Sequence, residues 1–149
     1  MALFETVEEP KHLKHRRLLI IGICVVVLGA GVLWWLLRGH AERVTVRNFM
    51  DAVVAGNMQE AYKIWKPSPS YTFKDFQDDW GPSGYYGPVR SFNVKDSSHP
   101  KMASAEEIVV ELSPYQPFPA KDDMLKQSKT KEVRLWVEEK DQSISFPPY

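Results

Sequence analysis

The longest apolar segment of the chain runs from Leu18 to Leu37 and contains no charged residue, no proline and no strongly polar side chain. A helix of about twenty residues, rising about 1.5 Å per residue, covers roughly 30 Å, which is the thickness of the hydrocarbon core of a bilayer. The pattern therefore predicts a transmembrane helix over residues 18–38. A polar tail over residues 1–17 precedes it, and a water-soluble domain over residues 39–149 follows it.

Two other interpretations fit this segment less well. A buried core helix is rarely apolar around its whole circumference over such a length. A cleavable signal peptide has an apolar region of about 7 to 15 residues and ends at small residues, whereas this segment ends with Trp34, Trp35, two leucines and Arg38. We therefore expect an uncleaved single-pass anchor.

Basic residues at the two ends of the anchor indicate its orientation. Four of them precede the anchor and three follow it: Lys11, Lys14, Arg16 and Arg17, then Arg38, Arg43 and Arg47. The positive-inside rule then favours a cytoplasmic N-terminus and a periplasmic or other extracytoplasmic domain, with the helix in the inner (cytoplasmic) membrane. Trp34 and Trp35 would lie at the far membrane interface, where amphipathic rings are enriched.

Helical periodicity dominates the first part of the domain. Apolar residues recur at i, i+3, i+4, i+7 and i+8 from Val46 to Val54, which predicts one amphipathic helix. Gly56-Asn57 ends that helix, and Asn57 with Glu60 is typical of the start of the next one. A third short helix is predicted from Thr72 to Trp80, with Thr72 and Asp75 spaced as in a capping box.

After a turn-rich segment over residues 81–88 the period changes to two. Apolar and polar residues alternate around residues 90–94, 107–112 and 133–138, and a last strand is predicted from Ser143 to Phe146. Residues 113–129, rich in proline and polar residues, are predicted to form a long loop. Helices followed by strands with one polar face predict an α+β domain in which about three helices pack on a curved antiparallel sheet of about four strands.

The order of these segments resembles a known family. The run VRNFMDAVVAGNMQEAYKIW, followed by YTFKDFQDDWG and the predicted strands, is similar to small membrane-anchored bacterial domains of the nuclear-transport-factor-two-like, cystatin-like cone superfamily. The matching positions are Phe49, Ala52, Gly56, Asn57, Ala61, Tyr62 and Trp65. The resemblance implies a cone-like fold over about residues 43–146. It does not imply one function, because the superfamily includes isomerases, dehydratases, ligand carriers and interaction modules.

Charge and cysteine content exclude several classes of function. From Ala41 onward the chain has 14 Lys and Arg against 16 Asp and Glu, a net charge of −2. A nucleic-acid-binding surface needs a clustered positive excess, so no nucleic-acid partner is expected. The single cysteine, Cys24, lies in the apolar segment, so the domain has no disulfide and no thiol catalysis.

Few residues suggest chemistry. The sequence has no nucleophile elbow, Walker loop or zinc-protease motif, and its four histidines lie off the predicted inward strand faces. Asp75, Asp78 and Asp79 cluster on the third predicted helix, where Asp78 and Asp79 are the visible candidates for the acid–base pair that the superfamily's enzymes place in the cone. A capping and solvated role is the better interpretation, so no catalytic residue, cofactor or metal is predicted.

Aromatic residues are the more informative candidates. Tyr85 and Tyr86 are flanked by glycines and difficult to bury, and Tyr115 and Phe118 lie in the proline-rich loop Pro114–Pro119. With Trp34 and Trp35 they are the predicted contacts to a partner. If the cone is hollow, its predicted lining is Tyr62, Trp65, Phe92, Val110 and Leu135.

These observations favour a non-catalytic accessory or assembly subunit of an integral membrane complex, respiratory or photosynthetic for example, in contact with membrane subunits and the bilayer. An alternative hypothesis is a membrane-anchored module that binds a small ligand inside the cone. A third hypothesis, an acid–base enzyme of the same superfamily, would require a buried carboxylate in that cavity.

Overall fold

The N-terminal apolar segment forms one long helix in the computed structural model, which describes residues 11–148. Helix α1 comprises Lys11–Leu37. The contacts within the chain divide it into two compact units, one that ends at Arg38 and one that begins at Gly39. The predicted tail over residues 1–17 is therefore helical from Lys11, while residues 1–10 lie outside the described part. Lys and Arg are good helix formers, and extending an existing helix costs little, so α1 continues beyond the apolar run.

Three further helices follow, as the periodicity predicts. They are α2 (His40–Val54), α3 (Met58–Trp65) and α4 (Phe73–Trp80). Helix α2 ends in a Schellman motif, in which the Asn57 N–H donates to the Ala52 carbonyl (2.9 Å) and the Gly56 N–H donates to the Val53 carbonyl (3.0 Å). Gly56 adopts φ 76°, a left-handed conformation that glycine takes without steric cost.

Both predicted helix starts have side-chain caps. The Asn57 side chain accepts from the Glu60 N–H at 3.3 Å. At α4 the capping box is complete: the Asp75 N–H donates to the Thr72 hydroxyl (3.2 Å), and the Thr72 N–H donates to the Asp75 carboxylate (2.8 Å). These bonds satisfy backbone donors that the first turn of each helix leaves unpaired.

The second half of the domain is a four-stranded antiparallel sheet in the order β1-β2-β3-β4. The strands are β1 (Ser91–Ser98), β2 (Ala105–Ser113), β3 (Lys131–Glu138) and β4 (Ile144–Ser145). A β-bulge interrupts β1 between Val94 and Asp96. Strand β4 is shorter than predicted because Pro147 and Pro148 have no N–H for the ladder. The long loop between β2 and β3 contains one helical turn, α5 (Met124–Gln127), which the proline-rich pattern did not indicate.

Helices α2, α3 and α4 cover one face of the sheet. Val46, Phe49, Met50 and Val53 of α2 are buried in one cluster with the inward strand residues, namely Ile108, Val110, Leu112, Val133, Leu135, Val137 and Ile144. The opposite face is polar and carries ion pairs between Lys95 and Glu111 (3.0 Å) and between Arg134 and Glu107 (3.6 Å). The structure is thus an α+β domain with an open antiparallel sheet, preceded by a long apolar helix.

The conformation of Gly56 generates a stability prediction. Replacing Gly56 by Ala should lower the free energy of unfolding by about 1 kcal/mol, because an L side chain is strained at positive φ. Within the described part of the chain, no heavy atom beyond the neighbouring residues lies within 4 Å of the added Cβ, so a collision does not contribute. Gly56→Asn is the matched control and should lose less, because Asn tolerates this conformation. Urea unfolding of the full chain in mild detergent, followed by tryptophan fluorescence, measures both values; equal losses would contradict the explanation.

Candidate functional site

Helix α1 exposes apolar side chains on every side. An 18-residue window in this region has a mean hydropathy of 2.6 and is 0% buried, so by length and composition the helix could cross a membrane. Trp34 and Trp35, near its C-terminal end, are 66% and 70% exposed. The Arg38 guanidinium lies 5.4 Å from the centre of the Trp34 ring, within the range of a cation–π contact. Such a surface is stable when lipid or another apolar helix covers it.

The two neighbouring tyrosines of the 81–88 turn have different environments. Tyr85 is 71% exposed, and its carbonyl accepts a hydrogen bond from the Lys131 ammonium at 2.5 Å. Tyr86 is half-buried and stacks on Trp80, with ring centres 4.8 Å apart. The expectation that both tyrosines are difficult to bury is therefore wrong for Tyr86, because the Trp80 ring provides an apolar surface for it.

The two aromatic residues of the proline-rich loop are only partly available. Tyr115 and Phe118 are both half-buried. The Tyr115 backbone is fixed at both polar groups: its N–H donates to the Ser113 hydroxyl (3.1 Å), and its carbonyl accepts from the Ser91 hydroxyl. Phe118 lines a cleft of about 630 Å³ together with Lys95, Glu111 and Lys121. These contacts attach the start of the loop to the sheet.

The predicted cavity-lining residues belong to or contact the core. Val110 and Leu135 have 0% exposure, so no space of the size of a water molecule adjoins them. Trp65 is 3% exposed, and Tyr62 and Phe92 are partly buried against the same cluster. The structure thus packs Val110 and Leu135 tightly instead of placing them on a cavity wall, because the side chains of α2 fill the space above the sheet.

Each carboxylate of α4 has a structural partner. Asp75 caps the helix, and Asp78 forms an exposed ion pair with Lys74 at 2.8 Å. Asp79 accepts a hydrogen bond of 2.5 Å from the Tyr71 hydroxyl. Burial, and then this bond to a negative group, raise the pKa of Tyr71 well above its usual value of 10.0. The arrangement ties α4 to the segment that precedes it and gives Asp78 and Asp79 no shared acid–base geometry.

A polar cluster at the start of α2 escaped the sequence analysis. Glu42 and Glu106 are only 7% and 6% exposed. The Glu42 carboxylate accepts from the Gln142 side-chain amide at 3.0 Å, and His99 Nδ1 lies 3.4 Å from carboxylate oxygens of both Glu106 and Glu139. The sequence did carry a signal for the burial of Glu106. It lies two positions before Ile108 on β2, so the two side chains belong to the same face of the sheet. Among the described residues, no group of three or more His, Cys, Asp or Glu is arranged to hold a metal ion.

Comparisons of the chain with protein-family models, with curated proteins and with solved structures find no match. The resemblance to the nuclear-transport-factor-two-like superfamily therefore stays a prediction.

The Tyr71–Asp79 pair predicts a specific response to alkaline pH. Because folding raises the Tyr71 pKa, the stabilisation is complete below pH 10 and is lost as pH rises further, where the unfolded chain releases the proton first. Tyr71→Phe should destabilise the fold by about 1 kcal/mol at pH 8, through the lost hydrogen bond. Its free energy of unfolding should then fall less steeply than that of the wild type above pH 10.

Urea unfolding from pH 8 to pH 11.5 measures both effects. Tyr85→Phe is the control, because the Tyr85 ring is exposed. This variant should keep the wild-type slope. A Tyr71→Phe variant with the wild-type slope would refute the assignment.

Proposed function

We propose that this chain is a non-catalytic accessory or assembly subunit of an integral membrane complex, held in the membrane by α1. The observation that carries the proposal is the unburied apolar circumference of α1, followed by a folded domain that begins at Gly39. A soluble protein would need to cover this surface, and a bilayer or neighbouring membrane helices cover it directly.

The domain supports a role in interaction more than one in catalysis. The candidate carboxylates of α4 are engaged in a cap, an ion pair and a tyrosine hydrogen bond. Tyr85 projects from a turn whose backbone is fixed: the Tyr85 N–H donates to the Asp78 carbonyl at 2.9 Å. A rigid turn that presents an aromatic ring is suited to contact another protein, because little conformational entropy is lost on binding.

The finer fold assignment belongs to this proposal. We take the sheet to be curved and the domain to be a cone of the nuclear-transport-factor-two-like type. The helix order, the Schellman break at Gly56-Asn57 and the bulge in β1 support it. Bulges bend strands and increase their twist, as a curved sheet requires.

A second candidate function is the binding of a small ligand, and a different site from the predicted one favours it. A surface cleft of about 480 Å³ has Trp65, Tyr71 and Phe146 among its lining residues, together with several serine residues. Its volume falls within the range of small-molecule sites. Of the predicted lining, only Trp65 belongs to this cleft.

Sizing after extraction of native membranes with mild detergent tests the subunit role. The wild-type chain should migrate in an assembly with other membrane proteins, identified by mass spectrometry. Replacing residues 18–37 by twenty leucines should keep the chain in the membrane but release it from the assembly, because the specific helix contacts are lost. The matched control is the double variant Trp34→Leu with Trp35→Leu. It removes only the two tryptophan rings near the C-terminal end of α1 and keeps the rest of the helix sequence. A wild-type chain that migrates alone would refute the subunit role and favour the Trp65 cleft as the functional site.

The proposed orientation places the N-terminus in the cytoplasm and the domain outside it. Because Cys24 is the only cysteine, a Cys24→Ala chain can carry single reporters. A membrane-impermeant maleimide should label Ser83→Cys in intact spheroplasts, whereas Glu5→Cys should react only after lysis. The reverse labelling pattern would overturn the orientation.

A further inference from the structure

One end of the sheet carries a concentration of positive charge. Strand β1 begins there, β2 ends there, and the 114–130 loop leads into β3, whereas Gly39 lies beside Glu106 near the opposite end of β2. This basic end consists of five residues: Arg90, Lys121, Lys126, Lys129 and Lys131. Against Asp122, Asp123 and Glu132, the acidic residues next to them in the sequence, they leave a net charge of +2, although the domain as a whole is negative. The charges are therefore segregated along the sheet.

Exposed apolar side chains lie within the basic end. Met124 and Leu125 of α5 are 73% and 85% exposed, and Tyr85 is 71% exposed. Helix α5 is one turn long and contributes no residue to the buried core. Met and aromatic residues are enriched where proteins contact one another. The turn thus presents two apolar side chains to solvent without a role in folding that explains them.

Three of these lysines lie near aromatic rings. The Lys126 and Lys129 ammonium groups lie 5.8 Å and 6.0 Å from the centre of the Tyr115 ring, and the Lys131 ammonium lies 5.3 Å from the centre of the Tyr85 ring. Lys126 also pairs with Asp123 at 3.3 Å. The Lys121 and Arg90 side chains have no ion-pair partner among the described residues. Ordered cations beside apolar groups bind an anion with less entropic cost than freely moving side chains.

A small cleft between the 81–88 turn and the 114–130 loop adds a specific point of attachment. It has a volume of about 90 Å³ and is lined by Lys129, Lys131, Tyr86 and the prolines at positions 88 and 114. That volume equals about three water molecules. A cleft of this size with two lysines in its lining suits one carboxylate group of a partner.

We propose that the basic end is a docking surface for an acidic protein segment that also carries apolar side chains. The lysines complement its carboxylates, and Met124, Leu125 and Tyr85 contact its apolar groups. An anionic lipid surface fits less well, because the basic end and Gly39, the residue at which the domain follows the apolar helix, lie near opposite ends of β2. The inference rests on the proposed subunit role and specifies the chemistry of its partner.

Zero-length carbodiimide cross-linking of the full chain in native membranes tests this proposal, because the reagent joins lysines to carboxylates in direct contact. Mass spectrometry should find Lys121, Lys126, Lys129 or Lys131 joined to Asp or Glu residues of another protein. The exposed lysines Lys63, Lys101 and Lys140 serve as internal controls and should give at least tenfold fewer such products. Raising NaCl from about 50 to 500 mM before the reagent is added should reduce the yield, since salt screens the attraction.

A variant that keeps every lysine isolates the apolar contribution. Met124→Ser with Leu125→Ser should lower the cross-link yield about tenfold, whereas Met102→Ser, at a still more exposed methionine outside the basic end, should leave it unchanged. Thermal unfolding checks that the variants remain folded. An unchanged yield in the double variant would overturn the docking surface.

The outcomes separate the two proposals. If the wild-type chain migrates in an assembly but cross-links only through Lys63, Lys101 or Lys140, the docking surface is wrong and the subunit role stands. If the chain migrates alone and forms no cross-link to another protein, both fail. If the chain in phosphatidylcholine nanodiscs sediments with phosphatidylglycerol vesicles through these lysines, and no protein cross-link forms, the surface binds lipid and the proposal is overturned.

Discussion

The packing of Phe49 against three other rings is the contact on which the domain depends. Its ring centre lies 5.2 Å from that of Trp65, 6.1 Å from that of Phe76 and 5.0 Å from that of Trp80. These residues come from α2, α3 and α4, so one fully buried side chain joins the whole helical layer. Two short helices of eight residues would be marginal alone, and tertiary packing supplies most of their stability.

The same cluster decides which aromatic residues remain at the surface. Trp80 stacks with Tyr86 on one side, and Phe146 contacts both rings, so the chain after β4 closes over the end of the core. Tyr86 is thereby drawn inward and Tyr85, its neighbour, is turned outward. A surface feature of the domain is in this way a consequence of core packing.

Charge follows a different rule from aromatic packing. On the open face of the sheet, acidic and basic residues of adjacent strands alternate and pair, as Lys95 does with Glu111. In the 114–130 loop, Lys126 and Lys129 lie near the Tyr115 ring, and the lysines contact aromatic rings more often than carboxylates. The positive charge of the loop is therefore not neutralised. The loop therefore combines charge, exposed apolar groups and a fixed backbone, whereas the sheet face has the character of an ordinary solvated surface.

The sequence by itself determined the local structure. Five signals in the sequence each predict an element that the structure contains. They are the charge-free apolar segment of α1, the apolar stripe of α2, the helix break at Gly56-Asn57, the capping box of Thr72 and Asp75, and the two-residue alternation of β2 and β3. Each of these signals acts between residues a few positions apart, through helix hydrogen bonds, caps or side-chain direction, so it can be read along the chain.

Only the tertiary structure decided which side chains share a site. It buried Val110 and Leu135 without a cavity, left Tyr85 exposed while half-burying Tyr86, and brought Glu42 and Gln142 together across a hundred positions of sequence. It also placed Lys126 and Lys129 beside Tyr115. These outcomes depend on how the volumes and polar groups of distant elements fit together, and no periodicity along the chain encodes that fit.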